Sequence, residues 1–416
     1  MSKTKYIFFS FLVLLAIPTI SQAGLSSGKS VGMGGAYSTV ARGVESAFWN
    51  PANLGFSKSS QKNLMLLSVG LNVSNNSFNL EQYNRYNGAL LSTEDKQTIL
   101  NLIPSKGFNG SLSADLMALG ASWHNFAFTI SGRGTSNLLL PKDPIQALFF
   151  GNEINDTVLL SGSDGDVFAS VNFGLSYGRS IWKRADYELF GGASVKVIRG
   201  LVYQKIKESE GEVLTLETGV EGKGNFLVRS AEGGMGYGLD LGLAMKYKET
   251  WTFGFSCINL LNRINWNRNT EERAYQVRID SLLAENFDSD SLVVEESYSR
   301  PIAHFTTQLP VLFQAGVSYQ LRKTILAFDL KHSLTSGVGQ INKLSASVGA
   351  EHQLYSWLDI RGGISLGKNE GITIAQGLGI NVGIYQLDMG IANLNGVWPT
   401  KSQGVSVAIS NRIHFK

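Results

Sequence analysis

The sequence predicts an all-β protein, a transmembrane antiparallel β-barrel of about 14 strands. Three observations predict it. Apolar residues alternate with small or polar residues along most of the chain, the alternating runs are longer than strands of soluble proteins, and their connections alternate between short and long. Together these observations favour a membrane barrel over a soluble β-sandwich.

The alternation is clearest between residues 235 and 248. Large apolar residues from Met235 to Tyr247 occupy one face of the predicted strand, while glycine and charged residues occupy the other. The same pattern predicts strands at 64–73, 110–122, 126–133, 167–179, 188–200, 234–247, 251–261, 310–321, 324–332, 344–354, 357–366, 372–381, 385–392 and 403–415. Most are long enough to cross a bilayer at a tilt, which takes about 9–11 residues.

The connections between these strands alternate in length. Short ones, such as 123–125 and 322–323, are followed by longer ones, such as 201–233 and 262–309. Bacterial outer-membrane barrels have an even strand number, short periplasmic turns and long outer loops. Two long loops also predict helices, one that begins after Ser92 and one that spans 143–150.

Charged residues within the predicted strands fall opposite the apolar face. A lipid-facing Lys or Arg at mid-membrane costs about 2–4 kcal/mol, so these residues are expected to point into the lumen. They are Lys196, Asp240, Lys246, Asp329, Lys331, Glu351, Asp359 and Arg361. Two interpretations are open: a solvated or mutually paired lining that fixes the barrel, or direct contacts to a substrate.

The composition excludes several other classes of protein. Among 416 residues, 36 Lys and Arg against 33 Asp and Glu leave a net charge of +3, so no basic field points to nucleic acid. A single Cys excludes a disulfide scaffold and a Cys-based zinc site. Only one apolar run approaches the length of a membrane helix, which excludes a polytopic helical membrane protein.

That run lies in residues 1–23, which have the order of a secretory signal peptide. Two lysines precede the apolar stretch 6–17, and the small residues Ser21 and Ala23 mark a cleavage site. The alternative is an N-terminal membrane anchor, but the stretch is shorter than a span. The sequence therefore predicts a signal peptide at 1–23, a distinct segment at 24–60 and a barrel at 61–416.

The segment 24–60 is too rich in glycine to predict a stable helix. Its cluster Gly32-Met33-Gly34-Gly35 superficially suggests a phosphate-binding loop, but no strand precedes it and the spacing is not G-x-G-x-x-G. Nucleotide binding is therefore not predicted. On composition alone the alternative is a flexible periplasmic leader.

Two runs in this segment resemble a known group. Residues 33–37 (Met-Gly-Gly-Ala-Tyr) and 48–55 (Phe-Trp-Asn-Pro-Ala-Asn-Leu-Gly) are similar to the N-terminal region of the long-chain fatty acid transporter (FadL-like) superfamily of outer membrane proteins, which includes PorV-like secretion proteins and uncharacterised barrels. The resemblance is close over about residues 31–56. It implies a fourteen-stranded barrel in the bacterial cell outer membrane, with 24–60 folded inside the lumen as a hatch whose turn is Asn50, Pro51 and Ala52.

The residues of this segment also have a physical interpretation. Pro51 fixes its own φ and disfavours helical backbone at Asn50, so the triplet predicts a rigid turn. Phe48 and Trp49 are large apolar anchors that are costly to leave in water.

Two charged residues of the segment are further candidates. Arg42 and Glu45 are expected to reach lumenal charges such as Asp359 or Arg361. A plug pinned by such contacts can shift slightly, and such a shift would open a path through the barrel.

Transport is the leading functional hypothesis. The outer loops would capture a hydrophobic or amphipathic, fatty-acid-like small molecule, which then passes a hatch-gated lumen. The alternative is a PorV-like accessory role, in which the loops, above all 262–309, dock secretion-system or surface-assembly proteins. Neither an enzyme nor a metal site is expected, because the five His residues show no triad or ligand spacing. The expected partners are the outer-membrane bilayer and a hydrophobic ligand, with no cofactor, no nucleic acid and a monomeric state.

Overall fold

The computed structural model describes residues 25–56, 62–282, 293–334, 344–367 and 371–415. The predicted signal peptide, together with Gly24 and residues 57–60 of the predicted hatch, lies outside these ranges.

The described residues form eighteen strands in one sheet. They are β1 (Lys62–Asn75), β2 (Phe108–Trp123), β3 (Phe126–Leu140), β4 (Thr157–Leu159), β5 (Asp164–Lys183), β6 (Tyr187–Leu216), β7 (Gly219–Tyr247), β8 (Trp251–Trp266), β9 (Glu271–Leu282), β10 (Val293–Pro301), β11 (Phe305–Thr307), β12 (Leu312–Leu321), β13 (Thr324–Ser333), β14 (Leu344–Tyr355), β15 (Leu358–Gly367), β16 (Gly371–Val382), β17 (Tyr385–Leu394) and β18 (Gly404–Phe415).

Fourteen of these strands close a barrel. Antiparallel pairing runs through β1, β2, β3, β5, β6, β7, β8 and then β12 to β18, and β18 pairs back onto β1. Each of the fourteen overlaps one predicted strand, in the predicted order. The barrel prediction is therefore confirmed.

Side chains alternate between the two faces of the wall with the expected period. In β7, Leu241 and Leu243 are exposed on the outer face, whereas Asp240 is buried on the inner one. Aromatic rings lie beside the short turns: those of Trp251 and Tyr319 have centroids 4.6 Å apart. An apolar belt bordered by such rings suits a lipid bilayer. Among the described residues, no helix is long and apolar enough to cross a membrane.

The region predicted as the long loop 201–233 is mostly strand. β6 and β7 are 30 and 29 residues long, and they remain paired from the barrel out to a turn at 217–218. β4 pairs with the outer part of β6, β9 with the outer part of β7, and β10 with β9. These five strands form a sheet, here called the outer sheet, at the long-loop end of the barrel.

The described helices are short. They are α1 (Gly28–Gly32), α2 (Ser46–Trp49), α3 (Leu80–Tyr86), α4 (Thr93–Leu102) and α5 (Lys142–Phe150), with 3-10 turns at Gly43–Glu45, Pro51–Gly55 and Pro399–Lys401. The helices predicted in the two long loops correspond to α4 and α5, while α3 was not predicted. The expectation that glycine excludes helix from the N-terminal segment is wrong for α1 and α2, because single helical turns need little propensity when tertiary contacts hold them.

Helix α4 provides a prediction about ionisation outside the membrane. The Ser92 hydroxyl caps the helix by accepting from the Asp95 amide and donating to the Asp95 carboxylate at 2.7 Å. These hydrogen bonds favour the charged carboxylate and lower the pKa of Asp95. Their stabilisation is present above the unfolded-state pKa and is lost as pH falls through the folded-state pKa. Ser92→Ala should therefore raise the pKa of Asp95, and NMR titration of the Asp95 side chain would measure it; an unchanged pKa would contradict the capping geometry.

Candidate functional site

Residues 25–56, here called the N-terminal segment, lie inside the barrel against its inner wall. The approach is so close that strand glycines are required: a Cβ on Gly363 of β15 would overlap the Met33 carbonyl, and one on Gly192 of β6 would overlap the Pro51 carbonyl. Lumenal glycines at these two positions thus accommodate the segment.

The Asn-Pro-Ala triplet forms a turn that is tied to the wall. Asn50 has extended backbone (φ −156°, ψ 104°), and its side-chain oxygen accepts from the Ala52 amide at 3.1 Å. Its side-chain nitrogen donates to the Leu243 carbonyl of β7 at 3.0 Å. Pro51 opens the 3-10 turn that follows. A proline constraint and a bond to the wall together make the turn rigid.

Asp329 of β13 holds the middle of the segment. Its buried carboxylate accepts hydrogen bonds from the amides of Tyr37 and Ser38, at 2.8 and 2.7 Å, and from the Ser38 hydroxyl at 2.7 Å. Two residues further along the strand, the Lys331 ammonium donates to the Gly35 carbonyl at 2.7 Å and lies 4.5 Å from the ring centroid of Trp49. Both predicted lumenal charges therefore bind backbone or rings of the segment.

A network of ion pairs begins near the N-terminal end of the segment, at Lys29. Lys29 of α1 lies 2.7 Å from the carboxylate of Glu351, and the Arg361 Nε donates to the same carboxylate at 2.6 Å. Arg361 also lies 2.7 Å from Asp388 of β17. Positive and negative side chains alternate along this network of ion pairs.

The network of ion pairs continues from Asp388 back to the N-terminal segment. Asp388 accepts from Arg412 of β18 at 2.7 Å, and Arg412 lies 2.8 Å from Glu45 of the segment. The Tyr37 hydroxyl donates to Glu45 at 2.6 Å. The segment is therefore joined to four strands, β14, β15, β17 and β18, through buried charges whose mutual pairing compensates their desolvation.

One sequence expectation holds only in part: Glu45 reaches a lumenal charge, but not either of the two that were named. Arg42 and Glu45 do not reach Asp359 or Arg361: Glu45 pairs with Arg412, and Arg42 donates to the Thr39 and Ala41 carbonyls. Asp359 instead accepts from Asn381 at 2.9 Å. Strand alternation predicts only that these charges face inward, so the partners depend on how far each strand is shifted along the barrel.

Sequence reasoning missed five charged residues of the lumen. They are Lys29, Asp388, Arg412, Asp115 and Arg133. Asp115 accepts from the Ser26 hydroxyl and pairs with Arg133 at 2.7 Å. Asp388 and Arg412 occupy inward-facing positions of β17 and β18, so the period-two alternation of these strands was sufficient to predict both as lumenal charges.

A second group of predicted charges lies away from these anchors. Lys196 lies 2.8 Å from Asp240 and donates to Asn259 at 2.7 Å. Lys246 pairs with Glu249 beside a short turn, near the periplasmic end. Of the three predicted residues, Lys196 and Asp240 face the interior cavity and Lys246 does not.

Asn259 marks a break in the wall at this cavity. Residues 258–260 of β8 face the single residue Asp240 of β7, and Asn259 has a φ of 57°. Its amide donates to Asp240 at 2.7 Å. A left-handed residue within a membrane strand needs such support, and bulges of this kind redirect side chains. Here the bulge turns Asn259 towards the cavity.

The cavity, about 90 Å³, separates the N-terminal segment from an aromatic cluster. Its apolar lining includes Leu25, Ala47 and Phe48 of the segment and Phe168, Ile198 and Ile258 of the wall. Its polar lining includes Ser131, Thr135, Ser170, Asn172, Lys196 and Asp240. The buried Thr135 hydroxyl and Asn172 carbonyl oxygen find no hydrogen-bond partner among the described residues. The cavity is therefore amphipathic, with unused hydrogen-bonding groups.

The aromatic cluster covers the cavity on its outer side. Phe168, Tyr203 and Trp266 are buried together with Ile198, and Phe305 packs on them. The Trp266 ring lies 5.5 Å from that of Tyr203, and its indole nitrogen donates to Thr307 at 2.9 Å. The cluster separates the cavity from the outer sheet. Within the described residues, no group of His, Cys, Asp and Glu side chains could hold a metal ion.

Comparison with known proteins gives the family and the fold. The profile of a family described as of unknown function, DUF5723, matches residues 51–228 and 215–391. The chain belongs to DUF5723. No curated protein sequence matches this DUF5723 chain.

Solved structures resemble this DUF5723 barrel over nearly its whole length. The P. putida toluene transporter TodX is 14% identical, with 95% of this chain and 99% of that chain covered and a TM-score of 0.55. The Ralstonia pickettii toluene transporter TbuX is 14% identical, with 95% and 100% covered and a TM-score of 0.51. A Pseudomonas aeruginosa FadL homologue is 11% identical, with 97% and 100% covered and a TM-score of 0.52. The chain thus has the fold of FadL-like outer-membrane barrels, and none of the three relatives is described as an enzyme.

Proposed function

We propose that this DUF5723 barrel carries an amphipathic small molecule across the bacterial outer membrane through its lumen. The observation that carries the proposal is the cavity beside the N-terminal segment, with Phe48, Phe168 and Ile198 for an apolar body and Thr135 and Asn172 for a polar group. A bare hydrocarbon would leave those two groups unpaired, whereas an amphiphile satisfies them. The fold shared with proteins described as toluene transporters supports passage through such a barrel.

The proposal assigns the N-terminal segment the role of a hatch. Its members are Arg42, Glu45, Phe48, Trp49, Asn50, Pro51 and Ala52, and its wall anchors are Asp329, Lys331, Glu351 and Arg361. Phe48 lines the cavity and Trp49 is fully buried, so a small displacement of the segment would enlarge the cavity towards the periplasm. The division into a signal peptide, a hatch and a barrel belongs to the same proposal, as does a monomeric state.

Filling the cavity tests the transport proposal. Ser170 lies on the inner face of β5 at the cavity, and Ser170→Phe should reduce binding and uptake of an amphiphile at least about tenfold, because the phenyl ring occupies the ligand's volume. The measurements are titration calorimetry with octanol and octanamide and uptake by cells that lack the native gene. The matched control is Val171→Phe, one residue along the strand, whose side chain points outwards.

Uptake by the two variants distinguishes a route through the lumen from any other route. Uptake that falls for Ser170→Phe and persists for Val171→Phe supports the lumenal route. Equal uptake by both variants, or no binding of any amphiphile by the wild-type protein, would contradict it. Barrel integrity is checked in each variant by far-ultraviolet circular dichroism.

A protein-docking function is the second candidate, and the outer sheet favours it. Among the described residues its edge strand β10 (Val293–Pro301) pairs only with β9, and an unpaired strand edge is a template for a further strand. The charges of this sheet largely neutralise one another, as in the pairs of Glu272 with Arg229 and Arg300 at 2.6 and 2.7 Å. Asp288 and Asp290, two acidic residues that contribute to the charge of the predicted docking loop 262–309, lie outside the described residues. Recovery of one stoichiometric partner in mild detergent, lost on Ser297→Pro, would support docking.

A further inference from the structure

A second pocket, of about 70 Å³, lies where the barrel closes. It is formed by Arg42 of the N-terminal segment, by Asn63 and Met65 at the start of β1, and by Arg412 and His414 at the end of β18. Asn63 pairs with His414 across the seam between these strands, beside the periplasmic turns. Arg42, Asn63 and His414 are each partly exposed.

Arg42 brings a positive charge to this pocket, and no carboxylate of the described residues neutralises it. Its Nη1 donates to the carbonyls of Thr39 and Ala41, both at 2.8 Å, and its guanidinium carbon lies 4.4 Å from the ring centroid of Phe56. No described Asp or Glu lies within ion-pair distance of it, in contrast to Arg361 and Arg412. A partly buried charge without a counter-ion is unfavourable, so the pocket favours an anion.

Arg412, which also lines this pocket, has one nitrogen without a hydrogen-bond partner among the described residues. Two of its nitrogens are engaged by Glu45 and Asp388, but its Nε is buried and has no hydrogen-bond partner among the described residues. An unsatisfied buried N–H of a charged group is costly, and an oxyanion in the pocket would accept from it. Both guanidinium groups are held in place before any ligand binds. The Phe56 ring and two carbonyls hold that of Arg42, and two carboxylates hold that of Arg412. Fixed planar donors of this kind suit carboxylate recognition.

We propose that this pocket is a binding site for a carboxylate or similar small oxyanion at the periplasmic end of the barrel. Arg42 is its main contact, with Arg412 Nε as a second donor and Asn63 at the rim. The site is separate from the lumenal cavity, since the two share no lining residue. Evidence against the proposed transport route would therefore not contradict this site, and evidence against this site would not contradict the transport route.

Calorimetric titration of the purified, full-length barrel in a neutral detergent tests this site. The probes are octanoate, octanol and sodium acetate. Arg42→Gln should weaken octanoate binding at least about tenfold, because charge-assisted hydrogen bonds to the carboxylate are lost. Because octanol has no carboxylate, its affinity should fall far less than that of octanoate, and the ratio of the two affinities is the readout. The matched control is Arg184→Gln, which removes an exposed arginine that also stacks on an aromatic ring, with its guanidinium carbon 5.2 Å from the Trp182 centroid.

A second variant keeps the test decisive if Arg42→Gln folds poorly. Asn63→Asp places a carboxylate in the pocket, where it should displace octanoate and leave octanol binding unchanged. Acetate that competes with octanoate identifies a site for free anions, whereas acetate that does not compete identifies a site for the head group of an amphiphile; both support the pocket. Octanoate that fails to bind the wild type, or binds Arg42→Gln and Asn63→Asp as tightly as Arg184→Gln, would overturn the proposal.

Discussion

Replacing Arg412 by alanine is expected to lower the free energy of unfolding of the barrel by about 3–5 kcal/mol, since it breaks a buried charge network by removing one partner. Arg412 is the only bridge that the described residues show between Glu45 of the N-terminal segment and Asp388 of β17. Without it Asp388 keeps Arg361 and Glu45 keeps the Tyr37 hydroxyl, but the buried network is left with one positive charge too few. Urea unfolding followed by tryptophan fluorescence would measure the loss.

The matched control is Arg229→Ala in the outer sheet. Arg229 also pairs with one buried carboxylate, that of Glu272, but it lies outside the barrel and does not contact the N-terminal segment. A loss below about 1 kcal/mol is expected there, because the Glu272 carboxylate keeps Arg300 as a partner and the Arg229 side chain is partly exposed. Equal losses for the two variants would show that the lumenal network adds nothing specific to the attachment of the segment.

Replacing Asp329 by alanine is expected to release the N-terminal segment from the wall. The substitution removes three hydrogen bonds to Tyr37 and Ser38 and leaves their two buried amides without acceptors, at about 1–3 kcal/mol each. Trypsin should then cleave after Lys29 or Arg42 many times faster than in the wild type. Conductance in planar bilayers should rise at the same time, because the segment no longer occupies the lumen.

Asp359→Ala is the matched control for this second prediction. Asp359 is also a buried lumenal aspartate, but its partners are the wall residues Asn381 and Arg361. Its removal should leave the cleavage rate and the conductance close to the wild-type values. A segment that stays resistant to trypsin in Asp329→Ala would contradict the anchoring role, and with it the proposed hatch.

The wall of the barrel was predictable because its rules are local. A strand with lipid on one side and a lumen on the other must alternate with period two, and a lipid-facing charge is costly. The outer parts of β6 and β7 were missed since they lie beyond the bilayer. Both of their faces meet solvent or neighbouring strands there, so the apolar alternation that marks a membrane strand is weaker.

The candidate site was predictable only as a set of inward-facing charges. Asp329 and Lys331 were expected in the lumen, but no sequence pattern predicted their partners. Asp329 binds the Tyr37 and Ser38 amides, and Lys331 binds the Gly35 carbonyl. Glu45 meets Arg412, which is more than three hundred and sixty positions away in the chain. Such contacts follow from the register of fourteen strands and from the path of the segment between them.

The sequence by itself determined the alternation, the strand number and the Asn-Pro-Ala turn, since each depends on neighbouring residues and on a fixed backbone geometry. Only the tertiary structure decided which charges meet, where the amphipathic cavity lies and that Arg42 faces a pocket to which the described residues bring no carboxylate. The physical reason is that closing the barrel brings β1 against β18 and encloses residues 25–56, and electrostatic partnership in a closed lumen depends on distance in space rather than along the chain.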